Sequence, residues 1–283
     1  MDIDTLLNVV LVVFAHKSGK IETLRREVMM KLLASDYDGT LRINKRVDED
    51  EKKAIKAFRK QGNLFVLVTG RSIESIREEV AINQFEFDYI IGNNGGVVYD
   101  HNFTKMKENF IDFNAATACV EYIKTVNCIA YVLNNGVQRS KTVVNTKAND
   151  SKYGYMAASI SEEEIRKEKK IAQIVISLEN NNESHDIAAY INENFKDYIN
   201  AYVNVNCIDI VPNGVSKATG LTYLIDKIGF DEKQVYSIGD SYNDISMISY
   251  FHGFCMESSP DEIQKIAKNE FKSVGNCIKY IME

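Results

Sequence analysis

The chain has 283 residues, with 34 Lys plus Arg against 40 Asp plus Glu, and a formal net charge of -6. The acidic balance disfavours bulk nucleic-acid binding, and 45% hydrophobic with 26% charged residues excludes a disordered or fibrous chain. Five widely spaced cysteines without a Cys-x-x-Cys pair argue against a disulfide framework or a zinc ribbon, and fit a reducing, cytoplasmic compartment.

In chain order, the first apolar run is residues 6–14 (LLNVVLVVF), about half of the roughly 20 residues that cross a bilayer, so no membrane span is expected. Asp2 and Asp4 stand where a signal peptide needs positive charge. A short element packed on the body is one reading. Another is that two AGG codons at Arg25-Arg26 form a ribosome-binding sequence, with Met29 or Met30 as the start and residues 1–28 not native.

From Lys31 onward, short apolar runs alternate with amphipathic segments, the rhythm of parallel β-α-β units. The run 31–34 leads into Asp36. Asp48 and Glu51 have capping-box spacing ahead of a helix with an Ala54, Ile55 and Phe58 stripe, closed by Gly62. Residues 64–68 (LFVLV) form a strand buried on both faces that stops at Thr69-Gly70-Arg71. Ser72 caps a helix with Ile73, Ile76 and Val80 on one face, and residues 89–91 make a third strand, closed by Gly92-Asn93-Asn94-Gly95-Gly96.

The middle third changes rhythm. Helices are expected over 113–126, 162–170 and 185–195, and strands over 128–133, 137–144, 171–178 and 203–211. Two helices against a mostly antiparallel sheet is the natural assembly. After Pro212-Asn213-Gly214 the β-α rhythm returns, with a helix over 216–228, a strand over 235–238 ending at Gly239-Asp240, and a helix over 243–250. The expected fold is α/β, a Rossmann-like doubly wound parallel sheet interrupted by an α+β insert. The boundaries are an extension 1–28, a first core part 29–97, an inserted cap 98–208 and a second core part 209–283.

Three strands run out into polar residues, at Asp36, Thr69 and Asp240. In open α/β sheets ligands bind beyond the strand carboxyl ends, so these side chains converge if the strands are neighbours. In Asp36-Tyr37-Asp38-Gly39-Thr40, a turn at Gly39 can aim two carboxylates at one atom, one to attack phosphorus and one to move a proton. Asp36, Asp38, Asp240 and Asp244 together cannot hold their charge without a cation or protons. An all-oxygen set without histidine favours Mg²⁺ over zinc. Lys217, beside free amides in a helix's first turn, reads as a phosphate anchor, with Thr69, the Gly70 amide and Asn243 as further phosphate contacts. Each motif alone also has an ordinary reading as a turn, a cap or a surface lysine; their joint occurrence at element ends carries the argument.

These motifs, with Thr69-Gly70-Arg71, Lys217 and Gly239-Asp240-Ser241-Tyr242-Asn243-Asp244, resemble the four motifs of the haloacid dehalogenase (HAD) superfamily. Asn94-Gly95 and Val215-Ser216-Lys217 resemble its Cof-type, sugar-phosphatase-like branch, in which an αβ cap is inserted between the second and third motifs. The likeness spans residues 30–283, and Ala218 stands where the branch usually has glycine.

The resemblance implies a Mg²⁺-dependent phosphomonoester hydrolase of small phosphometabolites such as sugar phosphates. Asp36 would be the nucleophile that becomes an aspartyl-phosphate, and Asp38 the general acid and then base. Mg²⁺ would be held by the Asp36 carboxylate, the Asp38 carbonyl and Asp240, with Asp244 assisting. Thr69, Gly70, Lys217 and Asn243 would hold the phosphoryl group. A phosphotransferase or phosphomutase on the same fold, and a non-enzymatic phosphometabolite sensor, are the alternatives. The expected partner is a small phosphorylated metabolite, with no nucleic acid and no membrane, in a monomer or weak homo-oligomer. Tyr131, Arg139, Tyr153 and Tyr155 are candidates for a cap surface that faces substrate, with a place in the aromatic core the more common role for any one of the tyrosines.

Overall fold

The computed structural model describes residues 30–148, 156–179, 182–204 and 207–283. The readings made for residues 1–28, and those for Tyr153 and Tyr155, lie outside them.

Among the described residues the strands form two sheets. The larger is built from β1 (Leu32–Ser35), β2 (Leu64–Val68), β3 (Tyr89–Gly92), β4 (Val97–Asp100), β5 (Lys105–Glu108), β11 (Val235–Gly239), β12 (His252–Met256) and β13 (Glu270–Phe271). Their order is β13-β12-β11-β1-β2-β3-β4-β5. The six strands from β13 to β3 are parallel, and β4 and β5 add an antiparallel edge.

Successive residues of the central strands supply opposite faces, as the two-residue period of a strand requires. Leu33, Phe65 and Leu67 pack with Ile55 and Phe58 of α1 (Glu49–Lys60), Ile73 and Ile76 of α2 (Ile73–Asn83), and Val274 and Ile278 of the C-terminal helix. Leu32, Ala34, Val66 and Val68 pack on the other face against Leu221 and Leu224 of the helix Lys217–Ile228 and Met247 of the helix Ile245–Tyr250. Burial on both faces explains why these strands read as unbroken apolar runs. The sheet is doubly wound, as expected.

The smaller sheet has the order β7-β6-β8-β10-β9, with every pairing antiparallel. It comprises β6 (Cys128–Asn134), β7 (Arg139–Val143), β8 (Gln173–Leu178), β9 (Ile199–Asn204) and β10 (Cys207–Pro212). One face packs against α3 (Phe113–Ile123), α4 (Glu162–Glu168) and α5 (Ser184–Asn194) through Val120, Ile165 and Ile191. Three helices therefore share this core, where two were expected, because Ile165 of the charged helix is buried. The other face turns toward the carboxyl edge of the larger sheet.

Two local expectations change. Asp48 makes no side-chain cap to α1 and instead pairs with Arg46 at 2.8 Å. Its capping-box partner Glu51 accepts from the Gly275 amide at 2.7 Å, tying α1 to the C-terminal helix. Residues 98–108, read as the start of the insert, extend the larger sheet, while Cys207–Pro212 lies wholly in the smaller one. The turn at Asn93-Asn94-Gly95, all three with positive φ, folds β4 back onto β3 before the chain departs.

The later helices are α6 (Lys217–Ile228), α7 (Ile245–Tyr250), α8 (Asp261–Gln264) and α9 (Val274–Met282). Ser216 caps α6 by accepting from the Thr219 amide, and Gly229 closes it in the left-handed conformation. Such a cap contributes about 1 kcal/mol.

Candidate active site

Strand order reverses about β1: the chain runs out through β2 and β3, then returns to lay β11 on the other side of β1. A crevice opens where such a reversal occurs, beyond the strand carboxyl ends. A cleft of about 690 Å³ lies there, between the larger sheet's edge and the open face of the smaller sheet. Asp36, Asp38, Thr69, Gly70, Asp240 and Asn243 all line it. Lys217 and Asp244, both buried, lie behind the wall rather than on it.

Backbone geometry brings the carboxylates together. The Asp36 amide donates to the Ile238 carbonyl at 2.9 Å, locking the end of β1 to β11. Gly39 has φ +93°, and a Cβ there would lie 2.3 Å from an Asp240 carboxylate oxygen, so only glycine lets the two loops meet. Thr40 Oγ1 then donates to Asp240 Oδ1 at 2.6 Å. Gly239 has the same role for Asp244: a Cβ would lie 2.4 Å from that carboxyl carbon. Asp244 Oδ2 accepts from the amides of Asp240 and Ser241 at 3.0 and 2.9 Å, shaping the loop from beneath.

Lys217 Nζ lies 2.5 Å from Asp36 Oδ1 and 2.5 Å from Asp244 Oδ1. Burial opposes its charge, but the two carboxylates outweigh that and hold its pKa above the ordinary lysine value. Burial pushes Asp36 well above the ordinary carboxylate range; Lys217 offsets this in part, and Asp244 and Asp240 add to it. Burial and the Asp244 charge push Asp240 up to about 6. Carboxylate oxygens of Asp36, Asp240 and Asp244 lie within 4.8 Å of one another. Three carboxylates against one ammonium leave two negative charges, which one divalent cation neutralises. The donors fit a hard cation, being oxygen alone. Asp244 has both oxygens committed inward, to Lys217 and to the loop amides, so Asp36 and Asp240 are the carboxylates that face the cleft.

The Asp38 side chain does not join this cluster. It reaches Arg71 through two bonds, 2.5 Å from Nε and 2.8 Å from Nη2, and lies 3.1 Å from Arg42 Nη1. Arg71 also donates to Ser75 Oγ and Glu79 Oε1, both at 3.0 Å. Glu79 accepts in turn from the buried Tyr37 hydroxyl at 2.9 Å. Arg71, at the exit of β2, is thus an ion-pair partner of the second aspartate of the motif.

Thr69 Oγ1 accepts from the Arg71 amide at 3.2 Å, which leaves its hydrogen free to donate. Asn243 Nδ2 donates to Asn94 Oδ1 at 3.0 Å, and a Cβ on Gly70 would lie 3.2 Å from the Asn94 amide group. The sequence marks Asn94 as part of a turn and of the Asn94-Gly95 likeness; in the fold its side chain joins the Gly70 and Asn243 loops. The start of α6 offers fewer free amides than its sequence suggests. The Ala218 amide donates to Ser246 Oγ at 3.3 Å and the Thr219 amide to Ser216 Oγ at 3.2 Å, so the charge on offer there is the Lys217 ammonium.

On the cap side, Val132, Asn134, Val175 and Asp209 face the cleft, with Arg139 and Met156 at its wall. Tyr131 is buried on the helix side of the same strand, with its hydroxyl on Glu162, so Val132 is the residue that faces substrate space. A one-residue step along a strand changes the face, and alternation alone did not say which face looks inward.

A family model described as haloacid dehalogenase-like hydrolase matches residues 33–276. A Bacillus subtilis protein named 5-amino-6-(5-phospho-D-ribitylamino)uracil phosphatase is 27% identical over 247 residues, which cover 86% of this chain and 90% of its own. The structure of the HAD phosphatase BT1666 from Bacteroides thetaiotaomicron superposes with TM-score 0.73 at 20% identity, over 90% of this chain and 96% of that one. A haloacid dehalogenase-like hydrolase of Bacillus subtilis gives TM-score 0.73 at 18% identity, over 89% and 99%. At such identities the superpositions speak for the fold, whereas the family match runs through all four motifs described above. The chain belongs to the haloacid dehalogenase-like hydrolase family.

Proposed function

We propose that this HAD-type phosphatase hydrolyses phosphate monoesters of small hydroxylated metabolites, such as sugar phosphates, with Mg²⁺ held at Asp36, Asp240 and the Asp38 carbonyl. The single observation that carries the reading is the buried contact of Lys217 with Asp36, beside an acidic cluster two charges short of neutrality. When bound, Mg²⁺ supplies Lewis-acid stabilisation of the charge on the transferring oxygens.

The chain's own residues do the rest. Asp36 is the nucleophile: its carboxylate oxygen forms a bond to phosphorus as the ester oxygen leaves, giving an aspartyl-phosphate. Lys217 holds Asp36 in place and sets a positive charge behind the attacking oxygen, which favours the anionic phosphoryl group in the cleft. The Thr69 hydroxyl, the Gly70 amide and the Asn243 amide group orient the phosphoryl oxygens, which lowers the barrier by positioning and by fixed dipoles. Asp38 moves the proton. Bound to Arg71 it is an acceptor, suited to take a proton from the water that opens the aspartyl-phosphate. Delivering a proton to the leaving oxygen in the first half requires it to come off Arg71. Asp244 acts through Lys217 and through the loop it shapes. The cap sheet limits water above the reacting atoms.

The test is phosphate release from a panel of phosphorylated metabolites, with magnesium and with a chelator, and with no sugar acceptor present. Magnesium-dependent release is expected. Transfer that occurs only when an acceptor hydroxyl is added would replace hydrolysis by phosphotransfer, and no turnover of any ester would refute the reading.

A further inference from the structure

The cap face that looks into the cleft is mostly uncharged: Val132 and Val175 are apolar, and Asn134, Gln173 and Asn204 are carboxamides. Asp209 is its carboxylate, and its cations are on β7, with Arg139 opposite Asn134 and Lys141 opposite Val132. Asp209 lies in the middle of β10, opposite Val175 on one side and Tyr202 on the other, and is only 4% exposed. Its Oδ1 accepts from Gln173 Nε2 at 3.2 Å and its Oδ2 from Asn204 Nδ2 at 3.3 Å. Both bonds stand at the long end of the N–H···O range, which runs to about 3.2 Å. No cation stands within ion-pair distance of Asp209 among the described residues. Arg139, the cap guanidinium at the cleft, is directed to Glu78 at 3.8 Å and to the Ala157 carbonyl at 3.5 Å.

A carboxylate offers about four acceptor sites, and two donors leave half of them unfilled. Burying such a group without partners is costly, so the site favours a ligand that brings donors. The position of Asp209 relative to the reacting atoms is held on two flanks. Gln173 Oε1 accepts from Asn93 Nδ2 at 2.8 Å, next to the Asn94 that touches Asn243. Asn204 Oδ1 accepts from Ser241 Oγ at 3.4 Å, next to Asp240. Asp209 therefore faces whatever adjoins the transferring phosphoryl group, which is the leaving group.

We propose that Asp209 is a specificity-determining residue: it accepts hydrogen bonds from the hydroxyls of a polyhydroxylated leaving group and rejects esters whose leaving group carries a carboxylate or a second phosphate. This rests on the phosphatase reading above. Repulsion by a poorly hydrated carboxylate is the exclusion element, and unfilled acceptor sites are the attraction.

The test compares kcat/KM for glycerol phosphate, phosphoglycerate and phenyl phosphate in the wild type and in Asp209→Asn, which keeps the shape and removes the charge. The ratio of glycerol phosphate to phenyl phosphate is expected to fall at least about tenfold in the variant, the size of a lost charge-assisted bond. The ratio of phosphoglycerate to glycerol phosphate is expected to rise. Unchanged ratios, with all three rates lowered together, would mean that Asp209 only ties the cap to the core, and would overturn the proposal. If the variant does not fold, the wild type alone decides: glycerol phosphate should be preferred to phosphoglycerate, and the reverse order overturns the proposal. Absence of phosphate release from all three while other esters of the panel are hydrolysed also overturns the proposal, whereas absence of release from the whole panel refutes the phosphatase reading itself.

Discussion

A lysine ammonium between two aspartates, with none of its side-chain surface open to solvent, is expensive to build and more expensive to break. Removing one partner of such a group leaves uncompensated buried charge, at a cost of about 3–5 kcal/mol. Lys217→Ala is therefore expected to destabilise the fold by about that amount at neutral pH, read by urea unfolding, as well as to abolish turnover. The loss should shrink toward acid pH, where Asp36 and Asp240 take up protons, since both titrate above the ordinary carboxylate value. A uniform loss at all pH values would mean that packing, not charge, is what the lysine supplies. The sequence made this lysine legible as a cation at a helix start. It could not show that the neighbouring amides are already used, because Ser246 and Ser216 reach them only in the folded chain.

At the scale of elements, α6 delivers Lys217 because two glycines let it approach the turn after β3. A Cβ on Gly95, where φ is +106°, would lie 2.0 Å from the Ser216 carbonyl oxygen, and one on Gly220 would lie 2.8 Å from the Gly95 Cα. Gly95→Ala should thus push the start of α6 away, costing about 2–4 kcal/mol and most of the activity. Gly62→Ala is the control. Its φ is +86° with nothing within 4 Å, so strain of about 1–2 kcal/mol is expected and turnover should persist. Equal losses in the two variants would show that backbone strain alone, and not the helix contact, accounts for Gly95. The strands and helices themselves were largely legible, since buried runs such as residues 64–68 and capped stripes such as the one after Ser72 depend on local chemistry. Contacts between elements were not. The displaced partners of Asp48 and Glu51, the Gly95 approach and the inward face of β6 all depend on neighbours distant in the chain.

For the whole molecule, the acidic pocket couples stability to pH and to metal. Asp240 titrates near 6 in the fold against an ordinary 3.8, so over that window the unfolded chain binds fewer protons than the folded one. Stability of the metal-free protein should therefore fall as pH rises from about 4 to about 6. A divalent cation binds the deprotonated pocket and should reverse the loss. Magnesium is expected to raise the melting temperature by a few degrees at neutral pH and by little near pH 4; an equal rise at both would point to binding elsewhere. At this scale the alternation of apolar runs and amphipathic segments foretold the doubly wound sheet, and the polar strand ends at Asp36, Thr69 and Asp240, expected to converge if the strands are neighbours, line one cleft. The limits of the insert were misread because β4 and β5 rejoin the larger sheet before the chain leaves it. The most direct test of the central claim is phosphate release from a phosphate monoester by the wild type and by Asp36→Asn, each with magnesium and with a chelator. Release should occur only for the wild type with magnesium; turnover by Asp36→Asn at even a few per cent of the wild-type rate would contradict the assignment of Asp36 as the attacking group.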